Sequence, residues 1–396
     1  MPNYGQELQL AVYGNPQPPE DQRLPFAVEE WEQRARAALA AGPFGYLAGG
    51  AGAGDTMRAN REAFYKWRIW PRMLRDVGER DLRTEILGTT LPAPFLLAPI
   101  GVLGIAHPDG ERAPARAAAA TGIPLILSTV SSVPMEEVAA VMGAAPHWFQ
   151  LYPGTNRDVM SSMVRRAEAA GYSAVVVTLD TTMLGWREVD LQQAYLPFLQ
   201  GQGLANYFSD PAFRAALPKP PEEDPRSAIL YFLSIFVNPR FSWPDIDFLR
   251  QQTRLPIVLK GILHPADAAL ALDHGVDGII VSNHGGRQVD GATAALDALP
   301  LVAEAVAGRV PVLMDSGIRR AADVLKARAL GATAVLLGRP YAYALAAAGE
   351  AGVRQVIRNL LAELDLELAL SGRRSMAEVD RSLLDPLAPE TDSRPT

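Results

Sequence analysis

The sequence contains no cysteine among its 396 residues. This absence excludes disulfide bridges, thiolate metal sites, iron–sulfur clusters and cysteine nucleophiles. No apolar run approaches the ~20 residues that a membrane-spanning helix requires, and the polar stretch 1–10 lacks the basic and apolar regions of a secretory signal. The net charge of -7 argues against non-specific binding to nucleic acid. We therefore expect a cytoplasmic protein without nucleic-acid partners.

The remaining composition is that of an ordinary globular protein. Hydrophobic residues make up 48% of the chain and charged residues 20%, so the chain can bury a large core. Its length suits one α/β barrel with extensions. We expect the Pro-rich, polar residues 1–25 to wrap the surface and a helix to follow over 28–41. The glycine-dense segment 42–54 is predicted to be a loop.

A repeated unit begins near residue 95, in which a short apolar run precedes a longer alanine-rich, amphipathic stretch. Eight such runs occur, at residues 95–101, 124–129, 147–152, 174–180, 256–262, 278–285, 310–317 and 334–340. Helix formers fill the segments between them, and glycine follows several of these segments. Buried strands that alternate with helices predict an α/β fold. Eight units over roughly 250 residues predict a closed (β/α)₈ TIM barrel.

The repeat is interrupted after its fourth strand, where the connection is far longer than an ordinary βα crossover. We interpret residues 188–254 as an insertion that forms a lid over the active site; a surface decoration or a subunit contact is the alternative. The chain is expected to form one domain over 1–396. Its parts are an N-terminal helical and glycine-rich segment at 28–94, the barrel at 95–372, and a C-terminal tail at 373–396 that is disordered or wraps a neighbouring subunit.

Polar residues stand at the ends of the predicted strands, where barrel enzymes collect their chemistry. The last two strands end in DSGIR (315–319) and GRP (338–340). Glycine N–H groups, a helix N-terminus and two arginines predict a phosphate site there. Lys260, at the end of another strand, is interpreted as either a Schiff-base nucleophile or a fixed positive charge.

The most informative motif is SNHGGRQ at residues 282–288. His284 is suited to proton transfer near neutral pH, and Arg287 is suited to a bidentate contact with a carboxylate. The glycines between them let the backbone pass close to a flat ligand. The other four histidines lie in helix-start or surface-like contexts, so we assign them no chemistry. No metal site is predicted.

This motif resembles the signature of the FMN-dependent 2-hydroxy-acid oxidases and dehydrogenases. The resemblance covers residues 43–372 and implies both the barrel fold and FMN as cofactor. Its motifs lie along the barrel in the family's order: GYLAG (45–49), APIG (98–101), HP (107–108), QLY (150–152), TLD (178–180), LGWR (184–187), KG (260–261), DSGIR and GRP.

The resemblance also implies a role for each residue of the site. Lys260 becomes a fixed charge at the N1/O2 edge of the flavin. His284 accepts the hydroxyl proton as the C2 hydride moves to flavin N5, and Asp180 orients the imidazole. The implied substrate-binding residues are Arg187, Arg287, Tyr46 and Tyr152. The implied cofactor-binding residues, besides Lys260, are Pro99, Ile100, Gly101, Ser128, Gln150, Thr178, Ser282, Asp315, Ser316, Gly317, Arg319, Gly338 and Arg339.

Within this family, three features resemble lactate 2-monooxygenase. Gly101 replaces a common alanine, and we expect the missing methyl group to enlarge the space where oxygen reacts. The glycine run after Tyr46 and the insertion are both long. Val130 replaces a tryptophan of several relatives, which leaves the size of the substrate side chain open. We predict that O₂ oxidises a small L-2-hydroxy acid, foremost L-lactate to acetate, CO₂ and water.

Four alternatives stay open at this point. A plain oxidase would release the keto acid and hydrogen peroxide. A mandelate-like dehydrogenase would pass electrons to a membrane quinone, with the apolar stretch 228–237 as the candidate docking segment. The barrel could also bind flavin without catalysis, or bind a sugar phosphate. The resemblance further implies a homo-oligomer, either a tetramer or an octamer.

Overall fold

The computed structural model describes residues 3–16, 18–19 and 22–386. Its strands are β1 (Trp67–Ile69), β2 (Thr84–Ile86), β3 (Thr89–Leu91), β4 (Phe95–Leu97), β5 (Leu125–Ser128), β6 (His147–Leu151), β7 (Val175–Thr178), β8 (Ile257–Ile262), β9 (Gly278–Val281), β10 (Val312–Met314), β11 (Ala334–Leu337) and β12 (Leu384–Pro386). Short 3₁₀ turns lie at Leu103–Ile105, Pro197–Gln200, Met376–Glu378 and Arg381–Leu383.

The helices surround the strands and also form most of the N-terminal segment and the insertion. They are α1 (Tyr4–Gly14), α2 (Val28–Ala38), α3 (Ala41–Ala48), α4 (Asp55–Tyr65), α5 (Arg112–Thr121), α6 (Met135–Met142), α7 (Arg157–Ala169), α8 (Glu188–Gln192), α9 (Ala205–Phe208), α10 (Pro211–Ala215), α11 (Pro225–Phe236), α12 (Trp243–Arg250), α13 (Pro265–Asp273), α14 (Ala295–Val306), α15 (Ala321–Ala329) and α16 (Arg339–Leu370). Helix α16 breaks at Ala348 and Gly349.

Strands β4 to β11 form a closed parallel barrel in chain order, and β11 pairs with β4 to complete the ring. This confirms the predicted (β/α)₈ barrel. The strands are only three to six residues long, because the predicted runs also included the loops that carry the polar strand ends. An outer helix follows each strand, and α12 takes the place of the fourth outer helix, directly before β8. Residues 243–250 thus belong to the barrel repeat rather than to the insertion.

The barrel interior is a packed apolar core. Alternate strand residues such as Leu96, Trp148 and Val258 point inward and are buried, as the two-residue period of a strand requires. The β2–β3 hairpin adds Ile86 and Leu91 to the same cluster. Since these side chains fill the interior, the functional site lies at the carboxyl ends of the strands.

The prediction of a loop over residues 42–54 was wrong for its first half. Helix α3 covers Ala41–Ala48 and buries Phe44 and Leu47, and this burial outweighs the low helix propensity of glycine. Gly45 also permits a close approach, since a Cβ atom there would lie 2.7 Å from Val189 Cγ1. The preceding helix ends at Ala38 rather than at residue 41.

Both ends of the described chain pack against the barrel. The predicted surface wrap of residues 1–25 contains helix α1, which contacts α16 and whose Gly5 N–H donates to the Asp365 carboxylate at 2.9 Å. The predicted C-terminal tail is ordered on its own chain up to residue 386, because β12 pairs antiparallel with β1. Residues 387–396 of that tail lie outside the described residues.

The insertion contains helices α8 to α11 and an aromatic cluster. Phe198, Phe232 and Phe236 contact one another with ring centroids 4.9 to 5.6 Å apart. Buried Asn206 ties the insertion to the barrel, since its amide donates to the Thr129 carbonyl at 3.0 Å and accepts from Met135 N–H at 2.8 Å. Among the described residues, no helix has the length and apolarity to cross a bilayer.

Candidate active site

A cavity with about 1050 Å³ of empty space, counted to its open mouth, lies at the carboxyl ends of the barrel strands. Fifteen of the predicted site residues line it: Tyr46, Pro99, Ile100, Gly101, Tyr152, Arg187, Lys260, His284, Arg287, Asp315, Ser316, Gly317, Arg319, Gly338 and Arg339. The five others lie directly behind this wall and contact it or one another through hydrogen bonds: Ser128, Gln150, Thr178, Asp180 and Ser282.

His284 and Asp180 form a partly buried hydrogen-bonded pair. Nδ1 of His284 lies 2.7 Å from Asp180 Oδ1, and the Thr181 hydroxyl donates to the same oxygen at 3.0 Å. Burial alone would raise the pKa of Asp180, but His284 and Lys260 outweigh it and lower this pKa to about 2. Burial lowers the pKa of His284 although Asp180 opposes the shift. The pair is therefore a neutral imidazole beside a carboxylate near neutral pH.

Lys260 is a buried, charged group between two carboxylates. Its Nζ donates to Ser282 Oγ at 2.9 Å and lies 3.3 Å from Asp315 Oδ2 and 3.9 Å from Asp180 Oδ2. Burial opposes the charge, but Asp315 and Asp180 outweigh it and raise the Lys260 pKa. A lysine that stays protonated is a poor nucleophile, which favours the fixed-charge interpretation.

A left-handed turn carries His284 into the cavity. Residues His284, Gly285 and Gly286 have φ angles of 58°, 66° and 75°. Glycine adopts this region freely, whereas histidine is strained there. The Ser316 hydroxyl holds the turn by accepting from Gly285 N–H at 3.0 Å, and it donates to the Asp315 carboxylate at 2.8 Å. The two predicted loops after β9 and β10 thus support each other.

Three arginines face the cavity with backbone carbonyls as their acceptors. Arg287 and Arg339 both donate to the Gly49 carbonyl, and Arg319 donates to its neighbour Ile318. Burial and Arg187 lower the pKa of Arg287 to about 9, and burial and Arg339 lower that of Arg319 to about 10. Arg339 Nε is buried without a hydrogen-bond partner among the described residues. Closely spaced guanidinium groups that have no carboxylate acceptor in the described part of the chain fit an anionic ligand.

Two tyrosines adjoin the end of the cavity that Arg187, Arg287 and His284 line. The Tyr46 ring lies 5.1 Å from the Arg287 guanidinium and 5.9 Å from that of Arg187. The ring of Tyr152 lies 6.5 Å from that of His284. Burial raises the pKa of Tyr152, so its hydroxyl keeps its proton. The predicted substrate residues are thus brought together around His284.

A buried polar chain runs below the opposite wall. Ser128 donates to Gln150 Oε1 at 3.0 Å, and Gln150 Nε2 donates to Thr178 Oγ1 at 3.0 Å. The three residues lie on adjacent strands β5, β6 and β7. They form an edge of hydrogen-bonding groups beside the loop 99–101, where the resemblance expects the flavin.

The expected extra space at Gly101 is not empty. A Cβ atom at this position would collide with Val130 Cγ2 and would lie 2.9 Å from the Val130 carbonyl oxygen. This expectation was therefore wrong, because the missing methyl group makes room for Val130 rather than for a ligand.

Sequence reasoning assigned no role to several residues of the cavity wall. Thr181 follows Asp180 directly and could have been found as part of the polar strand end. Phe198 and Phe236 reach the cavity from the insertion, and their place there depends on how the insertion packs over the barrel, which local sequence periodicity does not specify. Gln288 of the central motif lies outside the cavity lining and was also given no role, although it bonds to the loop after β7.

Comparison with known proteins decides the family. The model of the FMN-dependent dehydrogenase family matches residues 35–386. The chain belongs to this family. It is 46% identical to an L-lactate oxidase of Lysinibacillus sphaericus (strain C3-41), over 89% of this chain and 91% of the relative. It is 40% identical to 2-hydroxyacid oxidase 1 of Homo sapiens, over 92% and 98%. A crystal structure of mandelate oxidase matches with a TM-score of 0.81 and 39% identity, over 91% and 98%.

The chain is accordingly an FMN-dependent oxidoreductase of 2-hydroxy acids. The cavity fits this cofactor on its own chemistry. FMN carries a phosphate dianion, and the cavity presents partly buried guanidinium groups that have no carboxylate acceptor among the described residues. A flat ring also fits beside the glycine-containing loops at Gly101 and Gly285, which line the same cavity.

Proposed function

We propose that this enzyme uses O₂ to oxidise a small L-2-hydroxy acid, foremost L-lactate, to acetate, CO₂ and water. The observation that carries the proposal is the His284–Asp180 pair, at 2.7 Å. The cavity beside it is lined by apolar side chains and by arginines that have no carboxylate acceptor among the described residues. FMN supplies a two-electron acceptor that passes its electrons to O₂.

We assign the cofactor to the two walls that the arginines and glycine loops form. Arg319 and Arg339, with the turn at Ser316 and Gly317, would hold the phosphate, as do many barrels after their last two strands. Lys260 would stand at an edge of the flavin ring and favour negative charge on it. Gly338, Asp315 and Ser282 complete this wall; Pro99, Ile100, Gly101 and the Ser128–Gln150–Thr178 chain would border the ring.

His284 is the base that we assign to the substrate hydroxyl. Because Nδ1 faces Asp180, Nε2 is the nitrogen left to accept a proton from substrate. The imidazolium that results stays beside a carboxylate, which stabilises its charge. Arg187 and Arg287 would bind the substrate carboxylate, and the hydroxyl groups of Tyr46 and Tyr152 would donate hydrogen bonds to the substrate.

The apolar wall supports a short substrate side chain. Val130, Phe198 and Phe236 line the cavity near Gly101 and Tyr152, and the Tyr152 and Phe236 rings lie 5.3 Å apart. A methyl group suits such a wall because it needs no hydrogen bond. L-lactate has this side chain.

The attachment of the insertion to the barrel supports acetate, the decarboxylated acid, as the product. Asn206 and the aromatic cluster fix the part of the insertion that contributes Phe198 and Phe236. If pyruvate and hydrogen peroxide stay together behind this wall, the peroxide attacks the keto carbon, and acetate, CO₂ and water leave. Slow opening of the insertion would favour this outcome, because pyruvate and hydrogen peroxide would then remain together.

A plain oxidase that releases pyruvate and hydrogen peroxide is the second candidate, and the similarity to an L-lactate oxidase favours it. The test is carbon NMR of the products from labelled L-lactate in air, with catalase present to remove free peroxide. Dominant acetate supports the monooxygenase, and dominant pyruvate supports the oxidase. No turnover contradicts the choice of lactate.

The expected cytoplasmic homo-oligomer stays a prediction, which size-exclusion chromatography with light scattering tests for the assembly.

A further inference from the structure

The side-chain amide of Gln288 uses every hydrogen-bonding position that it has. Nε2 donates to the carbonyls of Asp180 and Met183 at 2.7 and 2.8 Å. Oε1 accepts from Arg187 Nη2 at 2.9 Å and from Gly185 N–H at 3.4 Å. Two donors and two acceptors are the full capacity of a primary amide, so one side chain holds four points of the loop after β7.

The loop that Gln288 holds has little packing of its own. Met183 and Trp186 are 61% and 69% exposed. One further backbone contact fixes this loop, from Gly52 N–H to the Trp186 carbonyl at 2.8 Å. Gly185 lies flat against the motif, since a Cβ atom there would lie 2.5 Å from the Arg287 carbonyl oxygen. The exposed loop nevertheless carries Asp180 at one end and Arg187 at the other.

We propose that Gln288 is a positioning residue that holds Arg187 over the cavity and fixes the loop between Arg187 and Asp180. This proposal rests on the proposed function only in that Arg187 binds the substrate carboxylate. Arg187 has a second support, in which its Nε donates to the Arg287 carbonyl at 3.2 Å. That bond and the bond to Gln288 Oε1 together hold the Nε–Nη2 edge of the guanidinium.

An amide is required at position 288 because its NH₂ group faces two acceptors and its oxygen faces two donors. A glutamate at position 288 would keep the acceptors for Arg187 and Gly185 but would turn a carboxylate oxygen toward two carbonyl oxygens. A methionine of similar length would remove all four bonds. Gln252 is a matched control outside the cavity, because its Oε1 accepts from Arg165 Nη2 at 2.7 Å and its Nε2 donates to the Phe248 carbonyl at 3.4 Å.

The experiment is a titration of the FMN-loaded protein with oxalate, followed through the flavin absorbance. Oxalate has two carboxylates and no C–H bond to oxidise, so the titration needs no turnover and stays valid if lactate is not the substrate. The variants are Gln288→Met, Gln288→Glu, Arg187→Met, Gln288→Met with Arg187→Met, and Gln252→Met. We expect Gln288→Met to weaken oxalate binding by about 10-fold, the effect of one bond to a charged group, and Gln252→Met to leave it unchanged.

The double variant separates positioning from general damage. If Gln288 acts through Arg187, the double variant binds oxalate no more weakly than Arg187→Met alone. The proposal is overturned if the double variant loses affinity for oxalate by the product of the two single losses. Unchanged oxalate binding in Gln288→Met or in Arg187→Met would overturn it as well. If Gln288→Met does not retain FMN, Gln288→Ala replaces it in the same cycle with the same two criteria, because alanine also removes all four bonds.

Discussion

Val130 occupies the space that a side chain at position 101 would fill. The two residues stand at the ends of neighbouring strands β4 and β5, and both line the cavity. The next residue, Val102, donates its N–H to the Val130 carbonyl at 2.8 Å and has a φ angle of 54°. Positions 101 and 130 therefore shape the cavity together, and neither residue does so alone.

Replacement of Gly101 by alanine is expected to overpack this contact. We expect Gly101→Ala to lower the free energy of unfolding by about 1–3 kcal/mol and to slow flavin reduction by lactate. Adding Val130→Ala should recover part of both losses, because it removes the colliding methyl groups. Urea unfolding and stopped-flow absorbance measure the two effects. Simple addition of the single effects would show that the two positions are independent.

Loss of the imidazole at position 284 is expected to separate cofactor binding from chemistry. His284→Ala should retain FMN, while anaerobic flavin reduction by substrate falls by about 10²–10⁴-fold, the usual contribution of a general base. His274→Ala is the control, since His274 pairs with Asp247 at 2.9 Å away from the cavity. Unimpaired reduction in His284→Ala would refute the base assignment.

The fall of the flavin reduction rate at low pH, the acid limb of the pH profile, is expected to reflect protonation of His284. Burial lowers its pKa below the ordinary value of 6.5, so the base form, and with it the rate, persists until the pH falls through that lowered value. Asp180 raises the His284 pKa, so Asp180→Asn should move the limb to still lower pH and reduce the plateau rate. Stopped-flow reduction between pH 5 and 8 tests this, and a limb that moves upward would contradict it.

Removal of the Arg319 guanidinium from the cavity wall is expected to weaken FMN binding. Arg319→Met should raise the Kd for FMN by about 10- to 100-fold, the effect of one hydrogen bond to a charged group. Arg309→Met is the control, because Arg309 donates to carbonyls of its own helix end. Fluorescence titration of the apoprotein with FMN gives both constants. Equal affinities for the Arg319 variant and the parent protein would exclude a phosphate contact.

Buried His147 is expected to make stability depend on pH. Burial lowers its pKa from 6.5, so the unfolded chain takes up a proton before the folded chain does. The free energy of unfolding should therefore fall as the pH drops below 6.5, by up to about 1.4 kcal/mol per pH unit. His147→Phe keeps an aromatic ring beside Tyr172, whose centroid lies 4.6 Å away, and should show a shallower slope. Urea titrations at pH 5.5, 6.5 and 8 measure it, and an unchanged slope would contradict the expectation.

Sequence alone predicted the parts of this structure that repeat or carry polar motifs. The eight strands follow from short apolar runs, and the convergence of His284, Lys260 and Arg319 follows from barrel geometry. Helix α3 was missed because the burial of Phe44 and Leu47 outweighs local glycine content. The contact of Gly101 with Val130 was missed because it depends on the relative placement of two loops from different strands.

The pairing of β1 with β12 has a consequence for how the chain is made. Trp67–Ile69 pairs with Leu384–Pro386, and β4 pairs with β11. Both early strands therefore lack these partners until late in synthesis. At about 5–20 residues per second of synthesis, β4 spends on the order of ten to fifty seconds as an open sheet edge. An unpaired edge recruits other strands, so the nascent barrel is exposed to aggregation until its last quarter emerges from the ribosome.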